Sequence, residues 1–245
     1  MKTLAVIILA RNEAENIADC LATAAFADEV LVVDSGSEDG TPDIAREKGA
    51  RVVDHPMTEG FAAQRNYALT QTTTDWVLYL DADERLSPEI GPEIRAVMAA
   101  GPVACYEIER QNVVFGQRMR YGPHRPDWSL RLFPRTAVRW EGIVHEVARV
   151  ELPVRRLRAG MLHYTYTRWS DYFAKFNRYT TLAADEMRAR GRTVGGGAIL
   201  SHSFFAFFRS YVLRQGFREG FLGLVMSLLA GGYTMVKYLK LKYGA

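Results

Sequence analysis

The sequence predicts an α/β protein: a doubly wound, mostly parallel sheet followed by a C-terminal annex of apolar helices. Three observations predict it. Strand and helix signals alternate through the first hundred residues, the pattern of βα units. The apolar runs there are short and give way to the polar or acidic residues Arg11, Asp34 and Asp81. Strands end in this way at the carboxyl edge of such a sheet, where ligands bind. Residues 220–236 then run seventeen positions without a charge, which sets the C-terminus apart.

Taken in order, residues 4–10 form a near-continuous apolar run, as expected of a strand covered on both faces. Residues 12–25 read as a helix, with Asn12 as N-cap and Ile17 and Leu21 on one face. Residues 29–34 are a second strand and Ser35 to Thr41 a turn, after which Pro42 opens a helix in its first turn. Residues 51–54 are a third strand, 60–70 a helix, and 76–81 a fourth strand rich in β-branched and aromatic types. From Pro102 to about Tyr166 the alternation gives way to strand-like pieces at 104–110, 129–134 and 143–150. The Gly-rich stretch 191–197 marks a hinge or loop. These shifts divide the chain into residues 1–100, residues 101–190 as the second half of the same domain, and residues 191–245.

Composition excludes some classes. With 245 residues the chain can bury a substantial core. A net charge of +3 is too mild to argue for nucleic acid. Basic residues gather late, in Arg155-Arg156-Leu157-Arg158 and between Lys237 and Lys242, and suit an anionic membrane surface or a phosphorylated substrate. Cys20 and Cys105 have no metal spacing and form no disulfide framework, which fits a reducing cytoplasm. The N-terminus lacks a small-residue cleavage site and reads as a first strand, not a signal peptide.

The chemistry concentrates in Asp81-Ala82-Asp83. Two carboxylates two residues apart, where a strand gives way to a loop, can bind one hard cation, which can in turn hold a diphosphate. Asp34 ends another strand. Its carboxylate can accept hydrogen bonds from a base or ribose, or serve an Asx turn in its own loop. Arg65 can reach a phosphate or lie on a solvated helix face. His163 either completes a metal or phosphate site or is a buried, hydrogen-bonded histidine.

Three motifs in order, Ile7-Ile8-Leu9-Ala10-Arg11-Asn12-Glu13, Val32-Val33-Asp34 through Thr41, and Leu80-Asp81-Ala82-Asp83-Glu84, resemble the family 2 inverting glycosyltransferases of the Rossmann-like GT-A fold. Trp140 to Glu146 and the stretch 211–240 resemble the branch that includes lipopolysaccharide-core glucosyltransferases. The resemblance implies a nucleotide-sugar donor, with UDP-hexose first, and Mg²⁺ or Mn²⁺ as cofactor. It implies a donor site of Ala10, Arg11, Asn12, Glu13, Asp34, Arg65, Asn66, Asp81, Ala82 and Asp83. Asp83 would contact the metal directly, with Asp81 on the ribose or on the metal through water, and His163 as a further metal ligand. Residues 1–100 would then hold the donor and 101–190 the acceptor.

Inversion needs a general base, and a carboxylate suits the task. Glu141, His145 and Glu146 cluster in one segment, with Asp127 as an outsider. The resemblance favours Glu146, then Glu141. Arg131 and Arg135 are candidates to hold acceptor phosphates. The implied acceptor is a lipopolysaccharide-core or related glycolipid, with polyprenyl phosphate as an alternative and a non-catalytic membrane adaptor as a different class. A sugar-1-phosphate nucleotidyltransferase would want glycines after the first strand that Leu9 to Glu13 lacks. The C-terminal segment reads as helices in a membrane interface, as a helix packed on its own domain, or as a span. The interfacial reading gives a peripheral protein on the cytoplasmic face of the inner membrane.

Overall fold

The computed structural model describes residues 1–100, 103–124, 126–142 and 146–244. The chain divides into two compact units, residues 1–110 with 127–163, and residues 111–126 with 164–245.

The first unit begins with β1 (Leu4–Ala10), α1 (Ile17–Thr23), β2 (Glu29–Asp34), α2 (Thr41–Glu47), β3 (Arg51–Asp54), α3 (Phe61–Thr70) and β4 (Trp76–Asp81). Along the chain there follow β5 (Glu84–Leu86), α4 (Ile90–Ala100), β6 (Cys105–Val114), the two-residue β7 (Gln117–Arg118), which belongs to the second unit, β8 (Asp127–Pro134), β9 (Arg139–Glu141), β10 (Val147–Arg149) and β11 (Val154–Tyr166). Strand order in the sheet is β3-β2-β1-β4-β8-β6-β11-β5, with β7 on β6. The first four strands are parallel. β8 is antiparallel to β4 and β6, and β5 to β11, so the sheet is mixed. β9 and β10 pair separately.

The core follows from strand alternation, which sends successive side chains to opposite faces. Leu4, Val6 and Ile8 of β1 pack with Ile17, Cys20, Ala45, Ile90 and Ile94 of α1, α2 and α4. Ala5 and Ile7 pack with Ala62 and Ala68 of α3 and with Tyr79, Phe133 and Trp140 on the other face. Each fully buried Ile or Leu contributes ~1.5–3 kcal/mol relative to leaving it in water.

Two expectations need correction. Asn12 does not cap α1. The helix begins at Ile17, and Asn12 sits in a left-handed turn at φ 56°. The Glu13 carbonyl instead receives the amides of Asn16 and Ile17. Of the strand expected over 143–150, Val147–Arg149 forms β10, while residues 143–145 lie outside the described residues. The thirteen-residue β11 is an addition that the sequence did not announce.

The second unit holds β7, α5 (Trp169–Ala189), α6 (Gly196–Phe208) and α7 (Gly220–Tyr243). A π-helical turn (Arg209–Leu213) and a 3₁₀ turn (Gly216–Glu219) join α6 to α7. Its core gathers Val114, Met119, Tyr172 and Met226.

A close approach in the first unit is testable. A Cβ on Gly160 of β11 would stand 2.9 Å from the Glu109 carbonyl oxygen of β6. Gly160→Ala therefore forces the two strands apart and lowers stability by about 1–3 kcal/mol, read as a drop of several degrees in Tm. An unchanged Tm would refute the contact.

Candidate active site

The carboxyl ends of β1, β2 and β4 bring the sequence-predicted residues to one edge. Ala10 lies level with Asp34, and Leu9 with Asp81. The two loops after β1 and β2 are joined by hydrogen bonds. Asn12 Oδ1 accepts from the Glu38 amide, and the Asn12 amide donates to Ser37 Oγ, both at 2.8 Å. The Glu13 amide donates to Thr41 Oγ1 and the Ala14 amide to Asp39 Oδ2. Thr41 Oγ1 donates to Asp39, and this bond leads the interactions that hold the Asp39 carboxyl below its usual value. Asp34 is buried. Its carboxylate accepts from the Gly36 and Ser37 amides and from Ser37 Oγ, which is the Asx-turn arrangement. Arg11 is exposed, while Ala10 and Ala82 are buried.

At the end of β4 the two aspartates part ways. Asp81 Oδ1 accepts from Arg65 Nη2 at 3.2 Å and Oδ2 from Arg131 Nη2 at 2.6 Å. The same Arg131 nitrogen donates to Glu84 Oε1 at 2.8 Å, and Glu84 Oε2 accepts the Asp81 amide at 2.9 Å. Glu84 is fully buried, and Arg110 Nη1 stands 3.6 Å from it. Asp83 makes none of these contacts. Its Oδ2 lies 3.2 Å from His163 Nε2, and β5–β11 pairing sets His163 opposite Glu84.

Burial opposes charge on Asp81, yet the facing Arg131 and Arg65 outweigh it and hold its carboxyl well below the usual carboxylate range. For Glu84 burial dominates and pushes the carboxyl up, with Arg131 drawing it back and Asp81 adding to the rise. Arg65 is itself buried, with its guanidinium over the rings of Trp140 (4.7 Å) and Tyr79 (5.2 Å). Its Nε and Nη1 have no hydrogen-bond partner among the described residues. The ring faces supply a cation–π attraction in place of those bonds.

Glu146 Oε1 lies 3.8 Å from Arg65 Nη2, one guanidinium away from Asp81. Glu141 is exposed and pairs with Arg149 at 3.1 Å. His145 lies outside the described residues. Asp127 is held by two hydrogen bonds from Arg110. The Asn66 amide is committed to the Trp140 backbone, donating to its oxygen (2.8 Å) and accepting from its nitrogen (2.9 Å). It thereby ties β9 to α3.

Arg131 does not face an acceptor: its guanidinium points inward to Asp81 and Glu84. Arg135 donates to the Thr74 carbonyl. The sequence also left unread a hollow of about 230 Å³ beside α3, lined by His55, Gly60, Gln64 and Tyr67. There the His55 ring stacks on Tyr67 at 3.6 Å, and Gln64 contacts His55 and Ser35. No periodicity signals this arrangement.

Removing Arg131 tests the network. Arg131→Met leaves the buried Glu84 and the half-buried Asp81 without their common cation and costs about 3–5 kcal/mol near neutral pH. With the cation gone, Glu84 is pushed further up, so the native state binds its proton more readily than the unfolded chain. Stability of the variant then falls as pH rises, and the deficit shrinks between about pH 7 and about pH 5. Urea denaturation at both pH values measures this, and an equal deficit at both would exclude proton uptake by Glu84 in the variant.

Comparison with known proteins bears on the family of the chain. A glycosyltransferase of Rickettsia felis, described as uncharacterized, is 26% identical over 255 residues, covering 98% of this chain and 89% of the relative. The lipopolysaccharide core biosynthesis glycosyltransferase LpsC of Rhizobium meliloti is 27% identical over 249 residues, covering 97% of this chain and 91% of the relative. Among solved structures, mannosyl-3-phosphoglycerate synthase from Rubrobacter xylanophilus overlaps 45% of this chain and 41% of its own, with a TM-score of 0.41 and 26% identity. The model of glycosyl transferase family 2 matches residues 5–217, and the chain belongs to that family.

Proposed function

We propose that the chain is a metal-dependent, inverting glycosyltransferase. It moves a hexose from a nucleotide sugar, UDP-hexose first, to a lipopolysaccharide-core or related glycolipid at the cytoplasmic face of the inner membrane. The observation that carries this reading is the separation of roles within residues 81–83. Asp81 is neutralised by two arginines, and Asp83 is left beside His163. The acceptor class draws its support from the relative LpsC.

The donor set fits a hard divalent ion. No group of three or more His, Cys, Asp or Glu side chains that could hold a metal is found among the described residues. The chain would therefore give two ligands, Asp83 and His163, and phosphate oxygens and water the rest. Mg²⁺ and Mn²⁺ are commonly held this way, through one or two protein ligands plus substrate phosphates. When bound, such an ion offsets charge on the diphosphate leaving group.

The protein's own residues do the remainder. Arg131 and Glu84 fix the backbone at the end of β4, so Asp83 is presented in one orientation. The joined loops after β1 and β2 are suited to bordering the nucleoside. Glu146 accepts the proton of the acceptor hydroxyl as that oxygen bonds to the anomeric carbon. The bond from that carbon to the diphosphate breaks on the opposite face, which inverts the centre. The proximity of Glu146 to Arg65, against the exposed pairing of Glu141, supports this choice of base.

A panel of nucleotide diphosphates and nucleotide sugars, each with and without Mn²⁺, tests the donor class. A bound ligand raises Tm by mass action, and silence across the panel would reject a nucleotide-sugar donor. Asp83→Ala should lose the metal-dependent part of the shift. Glu146→Gln should keep the shift and lower kcat by at least ~10²-fold. Near wild-type turnover in that variant would reassign the base.

A further inference from the structure

The helices α6 and α7 pack antiparallel with their small residues inside and their large apolar residues outside. Small and hydroxyl residues form the seam. A Cβ on Gly231 would stand 3.0 Å from the Ser203 carbonyl oxygen, and the Gly216 carbonyl occupies the place of a Cβ on Gly223. Ser210 Oγ donates to Ser227 Oγ at 2.9 Å, while Ser203 and Ser227 donate to the carbonyls of Ile199 and Gly223 in their own helices. These hydroxyls are satisfied without water, as apolar surroundings require.

The bulky side chains point away from the seam. Leu200, Phe204 and Phe208 recur every four residues on α6, and Phe204 is 67% exposed. On α7, Phe221, Leu228 and Met235 recur every seven, and Phe221 is 81% exposed. Each spacing keeps one helix face. A soluble helix pair reverses this arrangement, and scattered single exposed residues do not form such stripes.

Charge selects the occupant. Residues 191–245 carry seven Lys or Arg and one acidic residue, Glu219. Glu219 is already engaged by Gln117 and by the amides of Arg120 and Tyr121. Arg209, Arg214 and Arg218 lie at the turn and Lys237 and Lys242 toward the far end of α7, where the Lys240 ammonium turns to α5. A basic border around an aromatic stripe complements anionic head groups over acyl chains.

The segment Gly216–Tyr243 is long and apolar enough to cross a bilayer, but its neighbour argues for another orientation. Helix α5 runs along α7, with Phe176 against Tyr233 at 5.6 Å and the Lys240 ammonium on Asn177 and Thr181 at 2.7 Å. It carries exposed Asp171, Lys175 and Arg178 beside the uncharged middle of α7, where Tyr172 packs with Met226 and Phe176 with Tyr233. A span would carry those charges into hydrocarbon. We infer that the outer face of the α6–α7 pair lies in the plane of an anionic lipid bilayer, its Phe and Leu stripes in the acyl boundary and its basic ends among phosphates. The inference rests on the membrane-proximal reading above and uses none of the catalytic residues.

Flotation of the full chain, without nucleotide, on phosphatidylcholine vesicles with and without phosphatidylglycerol tests it. Binding should require the anionic lipid and weaken with salt. Replacing Phe204, Phe208 and Phe221 together by Ser should weaken binding at least ~100-fold with Tm retained. A second measurement does not depend on that triple variant. Cys20 and Cys105 are buried, so a spin label can be directed to Leu228→Cys or Arg178→Cys. On vesicles the label at 228 should be open to oxygen and shielded from a water-soluble nickel chelate, and the label at 178 the reverse. A water-exposed label at 228, lipid exposure at both positions, or a dimer that covers the stripe and does not float would each overturn the proposal. Asp83→Ala should float like wild type, so failure of the donor reading leaves this result interpretable.

Discussion

Two buried arginines decide what the acidic end of β4 can do. Two carboxylates and the buried Glu84 in one corner would repel one another and resist ionisation. Arg131 answers two of them from a single nitrogen, and Arg65 answers Asp81 from the other side. A buried pair of this kind adds little net stability over an apolar replacement. Its value is positional: Asp81 is held charged and immobile, and the two-residue step to Asp83 points the second carboxylate at His163. The contacts thus separate the two aspartates: one is held between arginines and the other stands beside His163.

The same cluster shows why the fold beneath it has to be mixed. The parallel strands deliver Asp34 and Asp81 to one edge, and Arg65 of α3 meets Asp81 there, but the parallel half has no element that brings one cation to both Asp81 and Glu84. β8 does so, running antiparallel to β4 with Arg131 beside Leu132, which pairs with Leu78. β11 then places His163 against Glu84 of β5. Late segments of the chain complete a site begun in its first third.

The parallel half is legible in the sequence because its strands are covered on both faces and so read as unbroken apolar runs ending at Ala10, Asp34 and Asp81. β11 is not, since Arg155, Arg156 and Arg158 fill its exposed first half and break any alternation of apolar and polar residues. Asn12 has the chemistry of a cap, but a partner far along the chain, the Glu38 amide, takes its oxygen. Arg131 is visible as a basic residue in a strand; its inward direction is set by Asp81, fifty positions away. Asn66 is legible as a candidate donor-site residue, and only the backbone of Trp140 reveals that its amide is occupied. Motifs report which residues gather, and long-range partners decide which of them stay open to a ligand.

The bonds from Asn12, Glu13 and Ala14 to the loop of residues 37–41 make two distant stretches of sequence behave as one part. Under the proposed donor site, altering donor preference by exchange with a relative would be a two-segment operation. A graft of either stretch alone would import amides and hydroxyls cut to fit a counterpart left behind, whereas moving both together would carry the interlock intact.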